Sequence, residues 1–177
     1  LGVYVSKNIS NLNFRNILSL FSLGIIFESF LSVVQFTNRG SLNGVFYFFG
    51  ERFFNSQTPG IANTILNGEL VLRPYGTFPH PNALAGYLLI GMVLILLNFK
   101  TAIRTYEKIF FVVAIFLGSI TIFLSMSRIA ILLWLIVFCF GMIRHAKKLL
   151  SFNKIINYFF IIFILSAFTV LLFLIRF

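Results

Sequence analysis

Two stretches of the chain, Ile109 to Leu124 and Ile155 to Ile175, are near-continuously apolar. Each is long enough to cross the hydrocarbon core of a bilayer as a helix. Composition points the same way: 59% of the 177 residues are hydrophobic, 18% aromatic and only 10% charged. A soluble domain carries about a quarter charged residues, so a water-solvated surface is excluded. Disorder is excluded by the same apolar content. The expectation is an integral membrane protein.

Five spans follow from the pattern, at Ile17 to Phe36, Ala83 to Phe99, Ile109 to Ser125, Ile129 to Ile143 and Ile155 to Ile175. The stretch from Ile109 to Ile143 is too long for one crossing, and the polar Ser125-Met126-Ser127-Arg128 in its middle is the expected place for the break. The predicted fold class is all-α, a polytopic transmembrane helical bundle with a long outer loop at 37–82. Residues 1–16 form a cytoplasmic segment, and 17–177 form the transmembrane domain.

The net charge of +10 and the pI near 10.3 suggest nucleic acid only in a soluble protein. Here the bases lie between spans and set topology. With the start inside, nine bases are cytoplasmic: Lys7, Arg15, Lys100, Arg104, Lys108, Arg144, Lys147, Lys148 and Lys154. The outer segments hold Arg39, Arg52, Arg73, Arg128 and Arg176. All the lysines are inside, so the expected orientation is start-in, finish-out, with membrane lipids as partners and no nucleic acid. Cys139 sits in an apolar span with no second cysteine to pair with. The chain starts at Leu1 and stops at Phe177 directly after a span, with no cleavable signal peptide, and is expected to be part of a longer protein.

The outer loop mixes polar turns with aromatic patches at Phe46 to Phe49 and Phe53-Phe54. It is too apolar to float free, and is expected to lie on the membrane surface or to fold back onto the bundle. Its last part, Arg73-Pro74-Tyr75-Gly76-Thr77-Phe78-Pro79-His80-Pro81-Asn82, is a rigid turn leading into the second span. Pro79 and Pro81 hold His80 extended, and Pro81 suits the first helical turn. The helix start points unpaired N–H groups and a positive dipole end outward, with Arg73 and His80 just upstream. Span four repeats the arrangement, with Ser127 as cap and Arg128 in the first turn. An arginine there disfavours the helix and is better explained by a bound anion. Two helix starts with two arginines on one face suit phosphate oxygens. The competing explanation is that both arginines snorkel to lipid headgroups.

These residues carry a family resemblance. The stretch Arg73 to Tyr87, with Gly76-Thr77-Phe78 and His80-Pro81-Asn82, is followed about forty residues on by Ser127-Arg128 at the end of an apolar span. It resembles the O-antigen ligase and O-antigen polymerase family, and Glu28 and Gln35 match a span found before that loop. The resemblance covers spans one to four. It implies a bacterial inner-membrane glycosyltransferase that moves glycan from an undecaprenyl-diphosphate carrier to a hydroxyl on a lipid or saccharide acceptor. No metal or other cofactor is implied, in keeping with a chain whose four acids are all Glu. The resemblance implies arginines on the diphosphate, which places Arg73 and Arg128 there as catalytic residues. His80, fixed between two prolines beside them, is the third catalytic candidate: either it accepts the hydroxyl proton, or it orients substrate or braces the turn while a His of the family's further outer loop is the base. The implied substrate-binding residues are Gly76, Thr77, Asn82, Ser127, Glu28 and Gln35. Family members have ten or more spans and a further outer loop carrying His and Arg, so this chain corresponds to the central part.

Other candidates are weaker. Glu28 within span one is a functional candidate or a hydrogen-bonded structural acid, and it shares a helix face with Gln35. His145 lies in an inner basic cluster, and His80 has no partner spaced for a metal site. Glu51 and Glu69 are expected to pair with Arg52 or Arg73. Two alternatives to the enzyme are a lipid-linked glycan flippase or transporter and a non-catalytic membrane subunit. A transporter places polar groups along the midplane of several spans, whereas here the unusual residues gather at one face.

Overall fold

The computed structural model describes residues 14–66, 68–99, 102 and 104–149. Four long helices account for most of them: α1 (Phe14–Asn38), α3 (Pro81–Leu97), α4 (Thr105–Leu124) and α5 (Arg128–Leu149). They coincide with the first four expected spans to within a few residues at most ends. The fifth span, residues 1–13 and the side chains at 139–149, including Cys139 and His145, lie outside what is described. Among the described residues two helices, α1 and α4, are long and apolar enough to cross a membrane, while α3 and the 128–138 part of α5 are shorter apolar helices.

The all-α expectation needs one correction. Between α1 and α3 the chain forms a single helical turn, α2 (Val45–Phe48), and an antiparallel hairpin of β1 (Asn63–Leu66) with β2 (Glu69–Leu72). The register pairs Asn63 with Leu72 and Leu66 with Glu69. Thr64, Ile65, Val71 and their neighbours are β-branched or aliphatic residues that suit a pleat, and Gly68 takes the positive φ of 82° that the tight connection requires.

Each helix end has a local cause. α1 stops in a Schellman arrangement: Arg39 is left-handed (φ 53°), Arg39 N–H donates to Phe36 O and Gly40 N–H to Gln35 O. α3 starts with Pro81 after an extended His80, whose Nδ1 accepts the Asn82 N–H at 3.1 Å. At the start of α4, Glu107 reaches back to the Arg104 N–H and pairs with Arg15 of α1 at 3.7 Å. α4 ends at Ser125, and Met126 turns left-handed (φ 51°) before α5 begins.

α1 and α4 run side by side with α3 antiparallel to both. Small residues let the backbones approach. The Ile25 side chain lies against Gly91 of α3 and Gly118 of α4, the Met92 sulfur also covers Gly118, and the Tyr87 hydroxyl lies on Gly24. Leu18, Ile25, Leu84, Leu88, Met92, Phe111 and Ile122 complete a fully buried core with Trp134 of α5. The buried face of α1 is mixed, with Ser22, Glu28, Ser29, Ser32 and Gln35 beside Leu18, Ile25 and Leu31, while the apolar Leu20, Leu23 and Phe30 are exposed.

Candidate functional site

The turn between β2 and α3 is built on two side chains of α1. Gln35, fully buried, accepts the Tyr75 N–H (3.0 Å) and Gly76 N–H (2.8 Å) on its carbonyl oxygen. Its amide nitrogen donates to Gly76 O (3.0 Å) and to Glu51 Oε1 (2.8 Å). One helix turn pair earlier, Glu28 Oε2 accepts the Thr77 N–H at 3.0 Å and Oε1 accepts the Thr77 hydroxyl. Gly76 adopts φ 58°, and a Cβ at that position would overlap the Glu28 carboxylate. Glycine is therefore required twice over, by conformation and by space.

Glu51 extends this grip. It is buried, and besides Gln35 it accepts the backbone N–H groups of Leu42 and Asn43, both at 2.8 Å. Glu69 instead pairs with Arg39 at 2.7 Å on the surface. The expected pairing of these acids with Arg52 or Arg73 is corrected on both counts. A buried carboxylate is better satisfied by several fixed donors than by one mobile guanidinium, and the hairpin carries Glu69 toward the end of α1. Arg52 donates to Phe78 O at 3.4 Å.

Above this base, a small second core of Phe54, Leu72 and Tyr75 braces the loop. The Tyr75 hydroxyl accepts the Ala62 N–H at 2.7 Å, and its ring lies 5.0 Å from Phe54 and 6.2 Å from His80. Tyr75, Glu51 and Ser125 are the positions that sequence reasoning missed as parts of the site. Gly50-Glu51-Arg52 resembles an ordinary polar turn, and only burial distinguishes it.

Arg73 links the two halves of the motif. Its Nε donates to Ser125 O at 2.7 Å and its Nη2 to Asn82 Oδ1 at 2.8 Å. The turn after α4 and the first turn of α3 thus meet on one guanidinium. Partial burial lowers the Arg73 pKa from the ordinary arginine value, yet an arginine remains charged in a protein. Three of its five N–H groups have no partner among the described residues. Ser127 is buried, its carbonyl accepting the Ile131 N–H at 2.9 Å, and Arg128 at the start of α5 is exposed without a described partner.

The expected site residues therefore fall into two layers. Glu28, Gln35, Gly76 and Thr77 form a buried, mutually bonded base. Arg73, His80, Asn82 and Arg128 lie on the rim at two helix starts, while Ser127, next to Arg128 in the chain, is buried. With Nδ1 accepting the Asn82 N–H, the proton of a neutral His80 ring sits on Nε2, so the ring presents a donor outward. Among the described residues no group of three or more His, Cys, Asp or Glu is placed to hold a metal ion. The rim offers the spare N–H groups of Arg73, the exposed Arg128 and the positive dipole ends of two helices, a chemistry suited to anions. The expected unpaired N–H groups at the start of α3 are instead taken up by His80, whose Nδ1 accepts the Asn82 N–H and whose carbonyl accepts those of Ala83 and Leu84. No protein-family model, no curated protein and no solved structure matches the chain.

Proposed function

We propose that this chain is the central part of a bacterial inner-membrane glycosyltransferase of the O-antigen ligase or polymerase type. It transfers glycan from an undecaprenyl-diphosphate carrier to a hydroxyl of a lipid or saccharide at the outer face. In this reading all five apolar stretches cross the membrane, with the N-terminus in the cytoplasm. The outer face of α1 supports a lipid environment, since Leu20, Leu23 and Phe30 are exposed while Ser22, Glu28, Ser29, Ser32 and Gln35 are buried.

One observation carries the functional reading: the Arg73 guanidinium binds both Ser125 O and Asn82 Oδ1. Residues 52 positions apart in sequence, the two segments on which the family resemblance rests, meet at one point. Spare N–H groups on Arg73, the guanidinium of Arg128 and the positive dipole ends of α3 and α5 are suited to a diphosphate. In the reaction the acceptor oxygen attacks the anomeric carbon, and the bond from that carbon to the diphosphate oxygen breaks. The leaving diphosphate takes the electron pair, and the arginines and helix starts stabilise its charge. The acceptor proton passes to a base. For His80 to take it, Nδ1 must first be freed from the Asn82 N–H, so a donor role of Nε2–H toward the donor substrate fits the resting geometry better.

Transport is less well supported. Glu28 and Gln35, the acid and amide side chains buried in the first span, are both engaged in holding the 75–77 turn, which leaves only the buried hydroxyls of Ser29 and Ser32 without partners among the described residues of α1.

The test is a glycan profile of cells lacking the full-length gene, complemented with wild type or with Arg73→Lys, Arg128→Lys or His80→Asn. Unligated carrier-bound glycan indicates a ligase and lost chain length a polymerase. Both Lys variants are expected to behave as the deletion while remaining expressed, because lysine lacks the planar bidentate fork. His80→Asn keeps a preferred helix cap and removes only the imidazole. Full activity in both Lys variants contradicts the reading.

A further inference from the structure

The segment between α1 and the hairpin has its polarity reversed for a turn facing water. Val45, Tyr47, Phe48, Phe49 and Phe53 are all exposed, Phe48 to 85%. The one acid among them, Glu51, is turned inward and only 2% exposed, bound to Gln35 and to the N–H groups of Leu42 and Asn43. Beside it, Arg52 is exposed, with one Nη2 N–H on Phe78 O and the rest of its guanidinium donors free among the described residues. In water the opposite arrangement is favoured, with the rings buried and the carboxylate solvated.

The exposed rings are also continuous with the outer face of a helix. Tyr47 lies 5.9 Å from Phe48 and 6.3 Å from Phe53, and Phe49 packs on Phe27 of α1 at 5.7 Å. Phe27 shares a helix face with the exposed Leu20, Leu23 and Phe30 by three- and four-residue spacing. It stands eleven residues before the end of α1, or ~16 Å back along the axis. The aromatic turn thus folds down beside the helix and extends its apolar surface sideways.

We infer that residues 45–53 are a membrane-surface anchor, with the rings seated in the outer leaflet at the headgroup boundary and Arg52 against lipid phosphate. This inference rests on the reading that α1 crosses the bilayer. Two features select lipid as the occupant: continuity with the apolar face of α1, and a surface whose only charge is positive. Aromatic residues with a flanking cation are suited to that boundary. Thr77, which the Glu28 carboxylate holds, lies beside Gly50, so the anchor also sets the height of the arginine rim relative to lipid headgroups.

Depth-resolved fluorescence tests this. Trp134 is the single native tryptophan. In a Trp134→Phe background, Leu23→Trp, Phe48→Trp and Gln57→Trp are placed separately in vesicles of phosphatidylglycerol and phosphatidylcholine, the latter brominated near the headgroup or near the bilayer centre. For Phe48→Trp we expect roughly a halving of emission by the shallow bromines, little effect of the deep ones and shielding from aqueous iodide, as for an element ~5–10 Å into the boundary. Leu23→Trp should respond to bromines and Gln57→Trp to iodide alone. If Phe48→Trp follows Gln57→Trp while Leu23→Trp responds to bromines, the anchor is wrong and the membrane reading stands. Shielding of Phe48→Trp from both quenchers would mean that protein covers the patch, which also overturns it. If Leu23→Trp escapes the bromines, the membrane reading falls and the anchor with it. Should Trp134→Phe reduce folded protein, a spin label on Phe48→Cys in a Cys139→Ser background reads the same depth.

Discussion

The base and the rim of the site lie within a few residues of each other, yet they treat polar groups in opposite ways. In the base, Gln35 makes four hydrogen bonds, and both oxygens of Glu28 and of Glu51 accept donors. Nothing there is left to meet a ligand. On the rim, Arg128 is exposed without a described partner and Arg73 is only partly engaged. The difference teaches that one motif serves two purposes: its buried members fix a backbone turn, and its exposed members hold spare donors. A residue's presence in the motif does not reveal which purpose it serves, whereas the balance of bonds made and bonds available does.

The sharpest way to break the comparison is Gln35→Leu. It would leave Tyr75 N–H, Gly76 N–H and Gly76 O without partners in a buried site, at ~1–3 kcal/mol for each orphaned group. We expect a loss of at least ~3 kcal/mol in unfolding measured in detergent, together with lost activity. Gly76→Ala comes next. The left-handed backbone and the overlap with Glu28 should cost ~2 kcal/mol or more, and Gly76→Asn should recover little, because the space is occupied. If either variant unfolds like wild type, the base is not the structural element described.

Rim substitutions should do the reverse. Arg128→Lys is expected to change stability by less than ~0.5 kcal/mol, as surface changes usually do, while transfer falls at least ~tenfold with the loss of bidentate geometry. A parallel loss of stability and activity would erase the distinction between the layers. The smallest effect belongs to Arg39→Ala. It removes an exposed pair with Glu69 and should cost no more than ~1 kcal/mol at low salt and less at high salt.

Much of this was legible in the sequence, for identifiable reasons. Long apolar runs located α1, α3, α4 and α5, and the polar break at Ser125-Met126-Ser127 separated the last two. The prolines around His80 predicted its extended backbone and the helix start at Pro81, both of which are found. The seven-residue spacing of Glu28 and Gln35 placed them on one face, and they do grip one turn. What escaped was long-range. The hairpin carries one local signal, Asn67-Gly68 between two short aliphatic runs, but its strands lack the polar–apolar alternation of a half-buried strand, β2 being exposed at its first two residues and buried at its last two. Glu51 escaped because burial of an acid depends on where distant N–H groups converge, here those of Leu42 and Asn43, and no local pattern encodes that. The link from Arg73 to Ser125 spans 52 residues and is visible only in the folded chain.

The central claim is that the turn at Arg73 to Asn82 and the break at Ser125 to Arg128 form one anion site. It is tested most directly by the affinity of the detergent-purified chain for undecaprenyl diphosphate, measured for wild type, Arg73→Lys, Arg128→Lys and the double variant. If both arginines hold the same diphosphate, each single change weakens binding and the two are coupled by ~0.5 kcal/mol or more, the range seen for residues sharing one partner. Unchanged affinity in both single variants, or losses that simply add, would contradict a shared site.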